Sequence, residues 1–336
     1  MSKGRYKNPV VATASGIFNM FNQQLLAERF TDKDRLDGKT MLITGANSGL
    51  GFATAVESAK RGACVIMGCL EGIPDAGEEV KEQSGSRKVD MRFVDLRDLD
   101  AIHALVDGFV RDHIKLDVVI FNAASAIPHS RRTIHHQDEL FFVNYFANFV
   151  LSNLLLEKGI VQPDHKNQPR MIFISSQSHQ GSSPIDYDEF GRYFEYGLAK
   201  AMSNYSYLKF VQNTFATELS RRLNPHEVVV QVNLVCPGAT NTNIIRNIPQ
   251  PFKLIMRGIF NLFFQPPEKA CLPLVYLASS EDFQGRTNQY LHMFSLKRMD
   301  EKSYVRKEGE KLWEASEALW RKLDRRAPSV LLVPVS

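Results

Sequence analysis

The chain has 336 residues, of which 44% are hydrophobic and 23% are charged. This is enough material for one large α/β domain or two small ones. The net charge of +4 is small for this length and no cluster of six or more basic residues occurs, so the composition argues against nucleic-acid binding. The four cysteines form no C-x-x-C pair and the adjacent His135 and His136 would not face one metal, so we expect free thiols, no metal site and an intracellular location.

Residues 1–36 form an N-terminal extension. In "GIFNMFNQQLLAERF" the apolar residues recur at helical spacing, which predicts an amphipathic helix that packs on the main domain, on a partner or on a membrane surface. We find neither a signal-peptide pattern nor a run of roughly 18 apolar residues. We therefore expect a cytoplasmic protein that is soluble or peripheral on a membrane.

From residue 37 to residue 325 short apolar runs alternate with amphipathic stretches, and residues 326–336 form a tail. Strands are predicted at 40–46, 64–69, 90–96, 116–124, 170–176, 228–238 and 288–294, and helices at 51–61, 98–113, 137–158, 196–223 and 267–278. Strands that alternate with helices form right-handed crossovers. The predicted fold is therefore α/β: a single Rossmann-like three-layer domain, with a parallel sheet of about seven strands and helices on both faces.

Two connections are longer than the rest, and both follow the carboxyl end of a predicted strand, where open α/β sheets bind ligands. The one after the sixth strand, at about 240–267, contains the apolar stripe "PFKLIMRGIFNLFF". Such a stripe is typical of core or of a dimer contact, and in this place it is equally consistent with a substrate lid. A lid of this kind favours a hydrophobic substrate and would allow a peripheral contact with a membrane.

The segment "TMLITGANSGLG" is a strand that runs into Gly45, Gly49 and Gly51 and then into a helix. Glycines at these places allow a tight turn and let backbone N–H groups approach a pyrophosphate, so the segment predicts a dinucleotide site. The residue that reads the adenosine ribose should follow the second strand. Leu70 and Glu71 stand there, and Glu71 could bind a 2′-hydroxyl or belong to a solvated loop, which leaves the choice between NAD and NADP open.

Seven pieces follow one another in the order found in the short-chain dehydrogenase/reductase family, which the chain resembles over about residues 38–320. The pieces are Thr44-Gly45-x-x-x-Gly49-x-Gly51, Asp95-Leu96, Asn122-Ala123-Ala124, Asn144, Ser176, Tyr196-x-x-x-Lys200, and Pro237-Gly238 with Thr242. "GANSGLG", "SSQSH" and "LWEASEAL" are similar to the branch of retinol dehydrogenases, the WW-domain oxidoreductase and protochlorophyllide reductase. The chain departs from the pattern of the branch at Leu70, where the branch usually has a basic residue. It departs from the pattern of the wider family at Ala124, where the family has glycine.

The resemblance implies an NAD(P)-dependent oxidoreductase that interconverts an alcohol and a carbonyl, with a retinoid, a steroid or a lipid-derived molecule as substrate. It implies a catalytic tetrad of Asn144, Ser176, Tyr196 and Lys200. The residues that it implies for NADP(H) or NAD(H) are Gly45, Asn47, Ser48, Gly49, Leu50, Gly51, Asp95, Leu96, Asn122, Ala123, Ala124, Tyr196, Lys200, Pro237, Gly238, Thr240 and Thr242. Oligomers are common in the family through the helices that carry Tyr196 and Asn144, so a homodimer is consistent with it.

The stretch "EYGLAKAMSNYSYLK" contains Tyr-x-x-x-Lys twice, as Tyr196 with Lys200 and as Tyr205 with Lys209. Nine residues at about 100° each turn a helix through about 900°, so the two pairs face opposite sides and only one can face a cofactor. We predict the first pair as catalytic, because Tyr196 directly follows the long loop after Ser176. Tyr205 would then be a packing residue.

Two other readings remain for the chemistry. A binding or scaffold protein on the same fold would have lost catalysis, yet Ser176, Tyr196 and Lys200 are all present. A methyltransferase on a related sheet lacks support, because no acidic residue stands immediately ahead of the glycine turn. His179, three residues after Ser176, could bind substrate, but it is more typical of a loop histidine satisfied by the backbone or by solvent.

Overall fold

The computed structural model describes residues 29–125, 129–238 and 265–328. Most of the predicted N-terminal extension and nearly all of the predicted lid lie outside the described residues. So do the last eight residues of the predicted tail.

A single sheet forms the centre of the molecule. Its strands are β1 (Thr40–Thr44), β2 (Cys64–Cys69), β3 (Val89–Phe93), β4 (Val118–Phe121), β5 (Arg170–Ile174), β6 (Gln231–Cys236), β7 (Tyr290–His292) and β8 (Ser295–Lys297). Their order is β3-β2-β1-β4-β5-β6-β7-β8, and all pairs are parallel except β7 with β8. The seven predicted strands are confirmed. The eighth is a three-residue hairpin partner, too short to show a period-two pattern in the sequence.

Helices cover both faces of the sheet, as predicted. They are α1 (Gly49–Lys60), α2 (Asp75–Ser84), α3 (Leu99–Arg111), α4 (Ala147–Glu157), α5 (Leu198–Leu223), α6 (Leu272–Ser279) and α7 (Arg306–Leu323). One apolar cluster joins the sheet to α3, α4, α5 and α7, and a second joins the opposite face to α1, α2 and α6. The Rossmann-like arrangement is therefore correct, while α2 and α7 were not among the predicted helices.

The helical stretch that ends in α4 begins earlier, as a short turn at Glu139–Phe141 and a π-helical turn at Phe142–Phe146. Within the described part of the chain, Glu139–Glu157 is long and apolar enough to cross a membrane. However, 89% of its apolar window is buried inside the protein. Its apolarity is therefore accounted for by its place in the core.

Helix α7 packs across α4 and α5. The buried Trp313 and Trp320 rings meet Phe149 of α4 edge-on, and the Tyr145 hydroxyl hydrogen-bonds with Ser316 of α7 at 2.5 Å. These helices carry the faces through which the family resemblance suggested a homodimer. Helix α7 therefore covers part of the surface of these helices.

Helix α5 is much longer than the strands on which it packs. Its 26 residues span about 39 Å, whereas strands of four to six residues span about 13–20 Å. Most of the helix must therefore extend past the strand ends. Lys209, in its fourth turn, donates a hydrogen bond to the Ile174 carbonyl at the last residue of β5, so the first turns project beyond the carboxyl edge of the sheet.

Candidate active site

The glycine turn between β1 and α1 is packed too tightly for a side chain at Gly45 or at Gly51. A methyl group on Gly45, which has φ +66°, would lie 2.8 Å from the Cα of Ala123. A methyl group on Gly51 would lie 2.4 Å from both the Gly45 carbonyl oxygen and the Asn122 side-chain nitrogen. The turn and the end of β4 are therefore in direct contact, and two of its three glycines are required by space alone.

Asn122 fixes this contact. Its side-chain N–H groups donate to the carbonyl oxygens of Thr44 and Gly45 at 2.9 and 3.0 Å. In return the Thr44 hydroxyl oxygen accepts from the backbone N–H groups of Asn122 and Ala123, both at 3.1 Å. The side chain of Asn122 thus holds the glycine turn against the end of β4.

Helix α1 begins at this turn without a cap of its own. Ser48 occupies the N-cap position but its side chain accepts no hydrogen bond from the helix, and no acidic residue lies in the first turn. Backbone N–H groups at such a terminus have no partner within the helix and attract anions. Together with the glycine turn they form a cradle that fits the pyrophosphate of a dinucleotide.

A cavity of about 490 Å³ runs along the carboxyl edge of the sheet from this cradle. Of the predicted cofactor residues, it is lined by Gly45, Asn47, Ser48, Gly49, Leu50, Gly51, Asp95, Leu96, Asn122, Ala123, Ala124, Pro237 and Gly238. Ser176 lines it as well, and Thr240 and Thr242 lie outside the described residues. The structure therefore brings the predicted phosphate, adenosine and nicotinamide segments to one cavity.

The tyrosine and lysine that line this cavity are Tyr205 and Lys209. The Lys209 ammonium lies 5.6 Å from the centre of the Tyr205 ring and donates to the Ile174 carbonyl at 2.6 Å. The Lys209 side chain is buried, and burial lowers its pKa to about 8. Burial also raises the pKa of Tyr205, so this phenol keeps its proton at neutral pH. Because Tyr205 lines the cavity, its side chain can contact a ligand bound there.

Tyr196 and Lys200 are not among the residues that line the cavity, contrary to our expectation. The helix begins at Leu198, so Tyr196 lies in the preceding loop, where its backbone exchanges hydrogen bonds with Ser130. Burial, and next the carboxylates of Asp138 and Glu139, raise the pKa of Tyr196. The Lys200 side chain is exposed to solvent. The expected geometry was wrong because helix α5 starts well outside the sheet edge, and its third and fourth turns, not its first, lie beside the strand ends.

Two serines follow β5 and both line the cavity. Ser175 is buried, and its backbone N–H donates to Val235. The Ser176 oxygen accepts from the Ser178 hydroxyl at 3.0 Å and from the Ser178 backbone N–H at 3.4 Å. Because these donors occupy the oxygen of Ser176, its own proton is free to point toward a ligand.

His179 is fully buried and both of its ring nitrogens are satisfied by the backbone. Nδ1 lies 2.5 Å from the Ser176 carbonyl oxygen, and Nε2 accepts from the Asp300 N–H at 3.1 Å. Burial lowers its pKa to about 4, so the ring stays neutral. The prediction of a backbone-satisfied histidine is confirmed, and the ring ties the segment after Ser176 to the residues before α7.

Asn144 lies in the π-helical turn and is not among the residues that line the cavity. Its side chain is buried and bonded on both sides: the oxygen accepts from the Ser125 N–H, and the nitrogen donates to the carbonyls of Ser125 and Leu140. These bonds hold the backbone at Ser125, directly after the residues Ala123 and Ala124 that follow β4. In this structure the side chain of Asn144 therefore anchors the wall of the cavity.

At the end of the cavity where the resemblance implies the adenosine, the lining residues are Leu70, Glu71, Asp95, Leu96 and Arg97. Although burial opposes it, hydrogen bonds from Arg97 hold the pKa of Asp95 below its usual value. Within the described residues, no group of three histidine, cysteine or acidic side chains is placed to hold a metal ion.

Sequence reasoning did not place Tyr205 and Lys209 at the cavity that they line. Both pairs have the same Tyr-x-x-x-Lys spacing, so the spacing could not distinguish them. Which pair lies beside the strand ends depends on where the helix begins. The sequence did contain a usable indication. Gly197, which directly follows Tyr196, is unfavourable inside a helix. It therefore indicates that the helix begins after Tyr196, as it does in the structure.

Comparison with known proteins gives a consistent set of relatives. A family model described as short chain dehydrogenase matches residues 39–186. Human retinol dehydrogenase 14 is 31% identical over 307 residues, which cover 86% of this chain and 88% of that protein. Human polyprenol dehydrogenase is 27% identical over 285 residues, which cover 83% of this chain and 84% of that protein. A solved structure of an uncharacterised protein from Mycobacterium paratuberculosis matches with a TM-score of 0.67 at 25% identity and covers 87% of this chain and 97% of that one.

Proposed function

The chain belongs to the short-chain dehydrogenase family and is an NAD(P)-dependent oxidoreductase of alcohol and carbonyl groups, and from this premise we propose that it acts on a hydrophobic small molecule with Tyr205 as its proton carrier. The proposal rests on one observation above all: Tyr205 and Lys209 line the same cavity as the glycine turn. The names of the relatives, retinol dehydrogenase and polyprenol dehydrogenase, support an apolar alcohol or carbonyl as the substrate.

A nicotinamide dinucleotide, when bound, would supply or accept the hydride. The residues that would hold it are the glycine turn and uncapped α1 terminus for the pyrophosphate, Asp95 and Leu96 for the adenosine, and Pro237 with Gly238 at the other end. These groups fit it because Gly45 and Gly51 leave no room for side chains, the turn lines the cavity, and the first N–H groups of α1 have no side-chain cap.

Tyr205 carries out the proton step. Since burial raises the pKa of its phenol, the group holds a proton at neutral pH and can donate it to the oxygen of a carbonyl substrate. The same oxygen, once deprotonated, would accept the proton of an alcohol in the reverse direction. The Lys209 ammonium, 5.6 Å from the Tyr205 ring, stabilises the phenolate that forms when the proton leaves.

Ser176 provides the second contact with the substrate oxygen. Its hydroxyl proton is free, because the Ser178 hydroxyl and N–H donate to its oxygen. A hydrogen bond from Ser176 would stabilise negative charge on the substrate oxygen in the transition state. Asn144 contributes by holding the backbone of Ser125 at the cavity wall.

The test is a screen of retinoid, steroid and polyprenol alcohols and of the corresponding carbonyls, each with NAD(H) and with NADP(H). The absorbance of the reduced nicotinamide measures the reaction. We expect turnover of at least one apolar pair and binding of a nicotinamide dinucleotide by the cofactor-free protein. Binding without turnover of any apolar compound, together with turnover of a small polar one, would overturn the substrate class. Failure to bind either dinucleotide would overturn the proposal as a whole.

A further inference from the structure

Resting on the proposed function, we infer that His179 is the positioning residue for Ser176. It holds the backbone of Ser176 and so keeps the Ser176 hydroxyl aimed at the substrate oxygen, without contacting substrate or cofactor itself. Ser176 lines the cavity, whereas His179 is fully buried behind it and is not among the lining residues. The donors of Ser178 act on the side-chain oxygen of Ser176, and His179 acts on its backbone.

Ser176 stands where the sheet stops supporting the chain. Strand β5 ends at Ile174, and the Ser175 N–H still donates to the neighbouring strand at 2.7 Å. Ser176 then caps a short helical turn at Gln177–Gly181. His179 lies in this turn and gives the Ser176 carbonyl oxygen two bonds, one from its backbone N–H at 3.2 Å and one from ring Nδ1 at 2.5 Å. The peptide that follows Ser176 is therefore held chiefly by His179.

The hydrogen-bond partners fix which ring nitrogen of His179 carries the proton. The Asp300 N–H can only donate, so Nε2, at 3.1 Å from it, must accept and carries no proton. The Ser176 carbonyl can only accept, so Nδ1 must donate and carries the proton. The ring is thus a neutral link with one nitrogen for each of two segments, and burial, which lowers its pKa to about 4, keeps it neutral.

The segment at the far end of this link is itself anchored. The Asp300 carboxylate accepts from the Lys302 N–H at 3.0 Å, and the Lys302 ammonium donates to the Ser182 carbonyl at the end of the turn. The Tyr290 ring meets the His179 ring edge-on, with 5.5 Å between their centres. The turn after the catalytic serine is therefore fixed at both ends to the residues before α7, and the His179 ring is confined between them.

Ser176 and the proposed proton carrier are positioned from one point in the sheet. Lys209 and Gln212 of α5 both donate to the Ile174 carbonyl, at 2.6 and 3.1 Å, which places the helix that carries Tyr205 against the end of β5. Ser176 follows that carbonyl by two residues. A shift of about 1 Å in a reacting group can lower a rate by about 100-fold, so a bond that holds Ser176 in place acts directly on turnover.

The experiment compares His179→Asn with His179→Gln. The amide nitrogen of asparagine takes the position of Nδ1 and can still donate to Ser176, whereas the longer glutamine reaches the position of Nε2 and can bond only to Asp300. We expect the turnover number to fall about tenfold in His179→Gln and less than about threefold in His179→Asn, with KM and dinucleotide binding within about threefold of the unchanged protein. Glutamine is closer to histidine in volume, so a packing role would give the opposite ranking.

A double-mutant cycle shows whether the effect passes through Ser176. In the Ser176→Ala background, His179→Gln should change the turnover number by less than about twofold, because the hydroxyl that it positions is gone. His179→Phe, which keeps the ring, completes the same cycle if His179→Gln does not fold, as judged by urea unfolding. His103→Gln is the matched control: His103 is a buried histidine of α3 that bonds to Asp324 and does not line the cavity, so turnover should stay within about twofold.

The outcomes separate this inference from the proposed function. A larger loss of turnover in His179→Asn than in His179→Gln, or a loss that recurs in full in the Ser176→Ala background, would overturn the positioning role while the oxidoreductase function stands. Failure of the unchanged protein to turn over any alcohol or carbonyl would overturn the proposed function itself.

Discussion

Two regions near the start of helix α5 carry the same Tyr-x-x-x-Lys pattern in different surroundings. Tyr196 lies in a loop with the carboxylates of Asp138 and Glu139 acting on it, and Lys200 faces solvent. Tyr205 lines the cavity, and Lys209 is buried beside it at the end of β5. The comparison teaches that one pattern in one helix can have two environments, and that only the pair beside the carboxyl ends of the strands lines the cavity.

The largest effect that separates the two regions is expected on catalysis. Tyr205→Phe removes the proposed proton carrier, so we expect the turnover number to fall by about 100- to 10,000-fold while NADH or NADPH still binds. Tyr196→Phe is the matched control and should keep turnover within about threefold of the unchanged protein. Loss of turnover in Tyr196→Phe together with full turnover in Tyr205→Phe would reverse the assignment.

The next effect concerns the two serines that line the cavity together with Tyr205. Ser176→Ala removes the proposed donor to the substrate oxygen, and we expect the turnover number to fall by about 100-fold. Ser175→Ala, at the neighbouring cavity residue, should lower it by less than about tenfold. Steady-state kinetics with one substrate gives the turnover number of both variants. A larger loss of turnover in Ser175→Ala than in Ser176→Ala would assign the hydrogen bond to the substrate oxygen to Ser175.

The pH dependence of stability distinguishes Lys209 from Lys200. Because the pKa of Lys209 is lowered from 10.5 to about 8, the unfolded chain binds a proton between pH 8 and pH 10 that the folded protein has released. The free energy of unfolding should therefore rise with pH in this window, and Lys209 alone should contribute roughly 2–3 kcal/mol.

Urea unfolding of the cofactor-free protein at pH 8 and pH 10 measures this contribution. Lys209→Met should lack the increase, while Lys200→Met should retain it because that side chain is exposed. Stability curves that run parallel for the unchanged protein and Lys209→Met would show that Lys209 is not buried as described.

The smallest effect concerns the stability contributed by the Tyr196 hydroxyl. This hydroxyl is buried and has no hydrogen-bond partner among the residues that the structure describes, so Tyr196→Phe should leave the free energy of unfolding unchanged or raise it by up to about 1 kcal/mol. Tyr145→Phe is a useful contrast, because its hydroxyl bonds to Ser316 and its loss should cost about 1 kcal/mol. A clear loss of stability in Tyr196→Phe would mean that its hydroxyl is paired in solution.

The parts of this molecule that depend on local pattern could be predicted from the sequence. The seven parallel strands follow from short apolar runs, and the glycine turn follows from a strand that runs into Gly45, Gly49 and Gly51. The residues Asp95, Asn122 and Gly238 were implied by the resemblance to the short-chain dehydrogenase/reductase family, and in the structure all three line the cavity.

The parts of the molecule that depend on how far one element extends past another could not be predicted from the sequence. The sequence does not state that α5 overhangs the sheet, and that overhang decides which tyrosine lies at the strand ends. The cover that α7 places over α4 and α5 depends on tertiary contacts of Trp313 and Trp320, which local spacing does not encode. The same holds for Asn144, whose side chain bonds to a backbone segment nineteen residues away.

A crystal structure with a nicotinamide dinucleotide bound tests the central claim most directly. The account predicts that the nicotinamide half of the cofactor contacts Tyr205 and Lys209, and that Tyr196 and Lys200 contact no part of it. A cofactor that contacts Tyr196 and Lys200, with Tyr205 and Lys209 left outside its binding site, would contradict the account.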